Sequence, residues 1–490
     1  MKKPNLMVCA MLLSVGAILL MAIGCGAPEQ DGKMPITTKS EKAREDYLQG
    51  RDLQEKLRGQ DARPFFERAI AEDPDFALAY LNLSFVVPSV KEFFANLDKA
   101  KALADKVSEG ERWWILGVEA GVNAYPMEQR DLYQKLVEAY PNDERAHNLL
   151  GNNYFGQQDW ELAIEQYQKA TRINPDFSQP YNQMGYAYRF LERYPEAEEA
   201  FKKYIQLIPD DPNPYDSYAE LLMKMGKYDA SIESYRKALE QDPNFVASHI
   251  GIATNFNLKG QHGKAREQLQ KLMDVARNDG ERRAALFAMS VSYVDEKNFD
   301  AGLEEQEKAY ALAEKINDAA SMGGDLVAMG NILLEGERLD EAQAKYDKAV
   351  EIVEASNLSE AVKDNTRRLY LYNSARVALA KGDLETAEHR AQEFHQEVKA
   401  INNPFQIRLA HELAAQIALE EKEYDKALEE LQQANRQNPY NFYRMALAYQ
   451  GKGDKSEAKE QLKVAVNFNA LNNLNYAFIR QKAKQMLDSM

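Results

Sequence analysis

Cysteine is almost missing from this chain: Cys9 and Cys25 are the two among 490 residues. Cys9 lies within a segment that reads as an export signal, so the processed protein has no pair of thiols to join and must be held by packing alone. Runs of basic residues are missing too. The 61 Lys and Arg stand against 77 Asp and Glu, a formal net charge of −16, and the cations come singly or in pairs such as Lys202–Lys203, Arg282–Arg283 and Arg367–Arg368. Such a chain is repelled by nucleic-acid backbones and by anionic lipid headgroups, which speaks against a nucleic-acid partner. The signatures of catalysis are lacking as well. Gly451-Lys452-Gly453-Asp454-Lys455 does not have the spacing of a phosphate-cradling loop, and no zinc-hydrolase helix, paired-cysteine motif or serine nucleophile elbow occurs.

One long apolar run is present, from Leu6 to Ile23 behind Lys2 and Lys3. A charged start followed by an apolar stretch is the pattern of an export signal over residues 1–24. It closes on Ala22-Ile23-Gly24-Cys25, which resembles the lipobox of bacterial lipoproteins, with Ala22 where that family usually has leucine. The resemblance implies acylation of Cys25 and a membrane partner reached through that covalent lipid. With Gly26 after the cysteine it further implies a periplasm-facing anchor at the outer rather than the inner membrane. Residues 25–40 are small, polar and Pro-containing, and predict a flexible tether.

Beyond residue 40 the dominant feature is a step of 34. It relates Ala163, Ala197, Ser231 and Ala265; Pro141, Pro175, Pro209 and Pro243; Tyr167, Phe201, Tyr235 and Leu269; and Gly151, Gly185, Ala219 and Ala253. That period fits one helix–turn–helix, which cannot bury its own apolar face and must stack on neighbours. In the unit Glu144 to Phe177, Leu150, Gly151 and Tyr154 share one helical face. Gly156 is expected to end that helix and Asp159 to cap the next, on which Ala163, Tyr167 and Ala170 form a stripe.

These residues resemble the tetratricopeptide repeat family, with its aromatic, Leu-Gly, Tyr, Ala, Phe/Tyr, Ala, Pro series. Trp113, Leu116, Gly117 and Pro141 mark an earlier unit, Gly50, Ala62, Phe66, Ala69 and Pro74 the first, and Tyr181, Gly185, Tyr188, Ala197, Phe201 and Pro209 a close match. The resemblance implies an all-α, right-handed α-solenoid of about twelve units, elongated and open along its concave side. Residues 41–279 read as an array of 34-residue repeats. The small-residue ladder then lengthens its step through Gly302, Ala342, Ala387, Ala427 and Ala458, so residues 280–469 read as a second array and 470–490 as a capping helix.

Three of the six histidines, His147, His249 and His411, fall in the aromatic slot of Trp113 and Tyr181 and read as packing residues; none clusters as metal ligands do. No metal or cofactor is expected, and no enzyme. Residues projecting from first helices should line the concave groove: Asn152, Tyr186, Glu220 and Thr254 in one row, Asn148, Asn182, Asp216 and Ile250 in a second, with Phe155, Arg189 and Phe190 beside them. Amides that both donate and accept suit an extended peptide, and the aromatics add rigid apolar area. The carboxylate clamp of some family members would need cations where Asn148, Asn213 and Ser217 stand. The expected function is a lipid-anchored envelope scaffold for a protein or peptide partner, possible also as a homo-oligomer. The alternative is a small-solute-binding or transport-accessory protein.

Overall fold

The computed structural model describes residues 32–490, whose regular secondary structure is all helix, with no strand among them. Twelve antiparallel helix pairs follow one another. Pairs 1 to 4 are Glu41–Glu55 with Gly59–Glu72, Ala77–Ser84 with Val90–Ala102, Glu109–Val122 with Pro126–Ala139, and Glu144–Gly156 with Trp160–Ile173. Pairs 5 to 8 are Ser178–Phe190 with Tyr194–Leu207, Pro212–Lys224 with Tyr228–Gln241, Val246–Leu258 with His262–Val275, and Asp279–Asp295 with Phe299–Glu314. Pairs 9 to 12 are Ala319–Glu335 with Leu339–Glu354, Glu360–Ala380 with Leu384–Ala400, Pro404–Glu420 with Tyr424–Gln433, and Pro439–Gly451 with Lys455–Val466. A last helix, Leu474–Asp488, closes the α-solenoid. The first helices of pairs 4 to 7 have 13 residues, those of pairs 8 to 11 have 17 to 21.

The sequence ladders meet in space. Glycines of the first helices face rings sixteen residues later: a β-carbon on Gly50 would lie 2.8 Å from Phe66, and one on Gly185 2.6 Å from Phe201. These rings are fully buried. The proline ladder and the aromatic slot are joined by hydrogen bonds. His147 Nε2, Tyr181 OH, Tyr215 OH and His249 Nε2 each reach the carbonyl of the proline six residues earlier, at 3.1, 3.3, 3.0 and 2.9 Å. The slot therefore selects a flat side chain with a polar tip, which tyrosine and histidine share, and the tip satisfies a carbonyl at the turn between pairs.

Gly156 is the last residue of its helix, as expected, while the left-handed residue of that turn is Gln158, at φ 66°. One local expectation is corrected. Asp159 makes no capping hydrogen bond; its carboxylate instead meets Arg130 at 2.6 Å. The tether is corrected in its second half. Residues 33–40 run across the starts of pairs 4 and 3 and the turn between pairs 1 and 2, held by carboxylates at those places. Met34 N donates to Asp143 at 2.8 Å, Thr37 N to Glu111 at 2.7 Å and Lys39 N to Asp73 at 2.9 Å. Lys33 pairs with Glu144 at 2.7 Å. Backbone donors with buried acceptors hold a strand-like strap that small-residue composition does not betray. Residues 1–31, with Cys9, Cys25 and the export signal, lie outside the described residues.

The solenoid is not elongated and open. Its second turn rests on its first, about seven pairs later. Asn403 Nδ2 donates to Ala124 O at 2.9 Å, Gln158 Nε2 to Asn435 Oδ1 at 2.9 Å, and Tyr228 OH to Asn469 Oδ1 at 2.8 Å. The capping helix seals the same seam. Its buried face carries Tyr476, Phe478 and Ile479, and its Arg480 reaches back to Asp295 of pair 8, Nε to Oδ1 at 2.9 Å. Asp295 also accepts from His262 at 2.7 Å, while Lys482 pairs with Glu335 of pair 9.

Candidate functional site

First helices line the inside of the superhelix, and the tight closure brings distant ones together. Arg145 of pair 4 forms a two-pronged pair with Glu55 of pair 1, at 2.7 and 3.0 Å across the lumen. Burial works against the guanidinium charge, but Glu55 and Glu144 overcome it and hold Arg145 firmly protonated. Around this bridge lies a cavity of about 400 Å³ walled by pairs 1 to 5, with Phe85, Trp114, Val118 and Leu149 apolar and Gln54, Asn82, Asn148, Asn152 and Gln179 polar. Two amide oxygens here, Gln54 Oε1 and Asn148 Oδ1, are buried with no hydrogen-bond donor among the described residues.

The expected groove residues divide into three places. Asn148 and Asn152 face this cavity; Asn148 Nδ2 donates to Gln179 at 2.7 Å and Asn152 accepts from Tyr167 OH at 2.8 Å. Tyr186, Asp216 and Glu220 are engaged by neighbouring repeats instead, and Asn182 lies buried beside them. Tyr186 OH donates to Glu220 at 2.9 Å, a bond between residues one repeat apart, and Ser248 Oγ donates to Asp216 at 2.7 Å. Burial and the neighbouring Glu220 push the Asp216 carboxyl well above the usual carboxylate range. Burial, again with Glu220, raises the Tyr186 phenol. Asn182 is buried with an unpaired Oδ1. The rows are thus contiguous, as a 34-residue step requires, but the curvature of the superhelix turns this part of them inward on itself.

Arg189, Phe190 and Phe155 belong to the seam between turns. Arg189 bonds Glu220 at 3.0 Å and lies over the ring of Phe190 at 4.8 Å. Phe190 stacks on Trp160 at 4.6 Å, and Phe155 sets its edge to the same indole. The later pairs hold a polar cluster that sequence reading missed. Glu412, buried, accepts from Tyr372 OH at 2.9 Å, Asn438 Nδ2 at 2.8 Å, Asn441 Nδ2 at 3.0 Å and Arg444 Nη1 at 2.9 Å. Burial disfavours its charge, yet Arg444 and these donors keep its pKa below the usual value. No period in the sequence signals it, because its members come from repeats of unequal length.

The slot histidines are tied into the packing. His249 Nδ1 meets Gln268 at 2.8 Å, His147 Nδ1 meets Gln166 at 2.8 Å, and His411 Nδ1 meets Glu430 at 2.7 Å, each nineteen residues on. Among the described residues no three His, Cys, Asp or Glu are placed to hold a metal, and no helix is long and apolar enough to cross a membrane.

Comparison with known proteins matches this geometry in parts of the chain. A family model described as TPR repeat matches residues 151–191, and three described as Tetratricopeptide repeat match residues 178–211, 219–245 and 440–467. No curated protein matches the chain. Solved structures similar to part of it include MamA of Desulfovibrio magneticus RS-1, 17% identical over 35% of this chain and 96% of that one, with a TM-score of 0.30. PilF of Pseudomonas aeruginosa is 16% identical over 45% and 90%, with a TM-score of 0.31. YrrB, described as a TPR protein with an unusual peptide-binding site, is 19% identical over 37% and 91%, with a TM-score of 0.25. The family matches and the helix pairs agree on one point: the chain carries tetratricopeptide repeats.

Proposed function

We propose that this chain is an interaction scaffold that takes a segment of a protein or peptide into the luminal cavity of pairs 1 to 5. The carrying observation is the pair of unsatisfied acceptors, Gln54 Oε1 and Asn148 Oδ1, set among Trp114, Val118 and Leu149. A buried acceptor without a donor is costly, and the backbone N–H groups of an extended chain supply donors at regular spacing. Apolar walls of indole and aliphatic carbon suit a side chain projecting from that backbone. Arg145 and Glu55, locked to each other, act as a strut that shapes the entrance and offer no free charge to the guest. The strap at 33–40, held through its backbone amides by buried carboxylates, illustrates the chemistry by which this fold grips extended chain.

The scaffold reading includes a lipid anchor at Cys25 and a place in the cell envelope facing the periplasm, supported by the lipobox-like Ala22-Ile23-Gly24-Cys25. A second reading, a small-solute binder, is favoured by the volume of the cavity, about 400 Å³, which lies in the range of small-ligand sites. Photocrosslinking separates the two. A photoreactive residue at Leu149 of the full chain in cells should capture a polypeptide, and one at exposed Glu165 on the outer helix should not. Capture from Glu165 alone, or polypeptide-free protein carrying a bound solute, would contradict the scaffold reading.

A further inference from the structure

A second cavity, of about 590 Å³, lies in the seam where pairs 4 to 6 meet pairs 11 and 12 and the approach to the capping helix. Its charge runs against that of the chain. Arg189, Lys224, Arg408 and Arg436 line it with Glu192 as the single acid, in a protein of net charge −16. Glu220 offsets Arg189, but Lys224, Arg408 and Arg436 have no carboxylate bonded to them among the described residues. Like charges gathered from separate repeats repel one another in a partly dry site unless a counter-charge joins them.

The donors are also under-used. Arg408 Nη2 donates to Gln157 O at 2.8 Å, but its Nη1 is buried without an acceptor. Arg189 spends Nη1 on Glu220, and its Nε is buried and unpaired. Lys224 donates to Phe468 O at 2.7 Å and sits 4.0 Å over that ring, with no carboxylate bonded to it among the described residues. Burial, and then the charge of Arg189, push the Lys224 ammonium down to about 8. A site that already strains to keep its cations charged is relieved by any anion that enters. Planar guanidinium forks with spare N–H groups match the oxygens of a phosphate or carboxylate. Phe190, Phe442 and Phe468 on the same walls provide flat apolar contact.

We infer that this seam cavity binds a small organic anion, a phosphate or carboxylate joined to a flat apolar body, and that the bound anion ties the second superhelical turn to the first. The site is separate from the luminal cavity and does not depend on what the lumen holds. Because the ligand touches both turns, it binds the closed superhelix and stabilises it by mass action.

Calorimetric titration and thermal unfolding of the full chain test this, with phenyl phosphate, benzoate, inorganic phosphate and phenol as probes. Phenyl phosphate or benzoate should bind saturably and raise the melting temperature, and the tighter of the two identifies the headgroup. Phenol should do neither, and inorganic phosphate should bind more weakly than phenyl phosphate. Lys224→Gln should weaken the anion by about fivefold or more, through loss of one charge-assisted contact. Arg436→Gln, at an exposed wall residue whose change leaves the fold intact, should weaken it by about twofold or more. Absence of saturable anion binding up to about 10 mM, the millimolar range being the weakest expected of such a site, overturns the inference. So does binding that both variants leave unchanged, or phenol binding as well as the anions.

Discussion

The ring of Tyr167 fills the space where a β-carbon on Gly151 would stand, its Cε1 only 2.5 Å from that position. Glycine is needed here for close approach, since its backbone is ordinary helix. In pair 6 the same ladder position is Ala219, and the ring sixteen residues on, Tyr235, is accommodated against Gly251 of the next helix instead. Gly151→Ala should therefore cost about 1–3 kcal/mol by overpacking, and Gly251→Ala a similar amount. Urea unfolding monitored by circular dichroism measures both. Gly156→Ala, with nothing within 4 Å of the added carbon, is the neutral comparison.

Asp211 is a buried N-cap whose carboxyl accepts from Asn213 N at 3.2 Å. Burial pushes its pKa up to about 6, from 3.8. A carboxyl raised on folding favours the native state most below its unfolded pKa, and that contribution is lost as pH rises through the folded value. At pH 7 the buried charge is therefore a liability. Asp211→Asn, which keeps the cap acceptor, should stabilise the protein at pH 7 by up to about 3 kcal/mol. The gain should disappear below pH 4, as thermal melts at the two pH values would reveal.

Arg480 bonds buried Asp295 and carbonyls at the end of the first helix of pair 7, with Asn257 O at 3.0 Å. Burial alone would raise the Asp295 pKa, but hydrogen bonds from His262 and Arg480 bring it below the usual value. Arg480→Ala leaves that buried carboxylate with His262 but without its guanidinium partner, and should cost about 3–5 kcal/mol. Hydrogen exchange should then show the capping helix opening before pairs 1 to 5.

Much of this architecture was legible in the residues. The 34-residue step placed Gly151, Tyr167 and Pro175 in helix pairs, and row neighbours such as Tyr186 and Glu220 do touch. What the step cannot express is superhelical pitch, which is set by many small packing angles. Pitch decides that Asn182 and Asp216 turn inward, that Arg189 enters a seam, and that Glu55 meets Arg145 across ninety residues. The strap at 33–40 was hidden for another reason: its bonds are made by backbone amides, which composition does not record.

The anchor proposal has a direct chemical readout. Metabolic labelling with a fatty acid should tag the natural chain and spare Cys25→Ser, and equal labelling of both would contradict acylation at that cysteine.

The account rests most on the second superhelical turn lying against the first. Residues 32–490 contain no cysteine, so a pair introduced as Gln158→Cys and Asn435→Cys, whose side chains now meet at 2.9 Å, reports on that contact alone. With a short bis-maleimide, which joins thiols too far apart for a disulfide, the account predicts nearly complete intramolecular crosslinking, and none for Gln158→Cys paired with Glu385→Cys on the second helix of pair 10. A chain that folds with native helicity yet fails to crosslink position 158 to position 435 would contradict it.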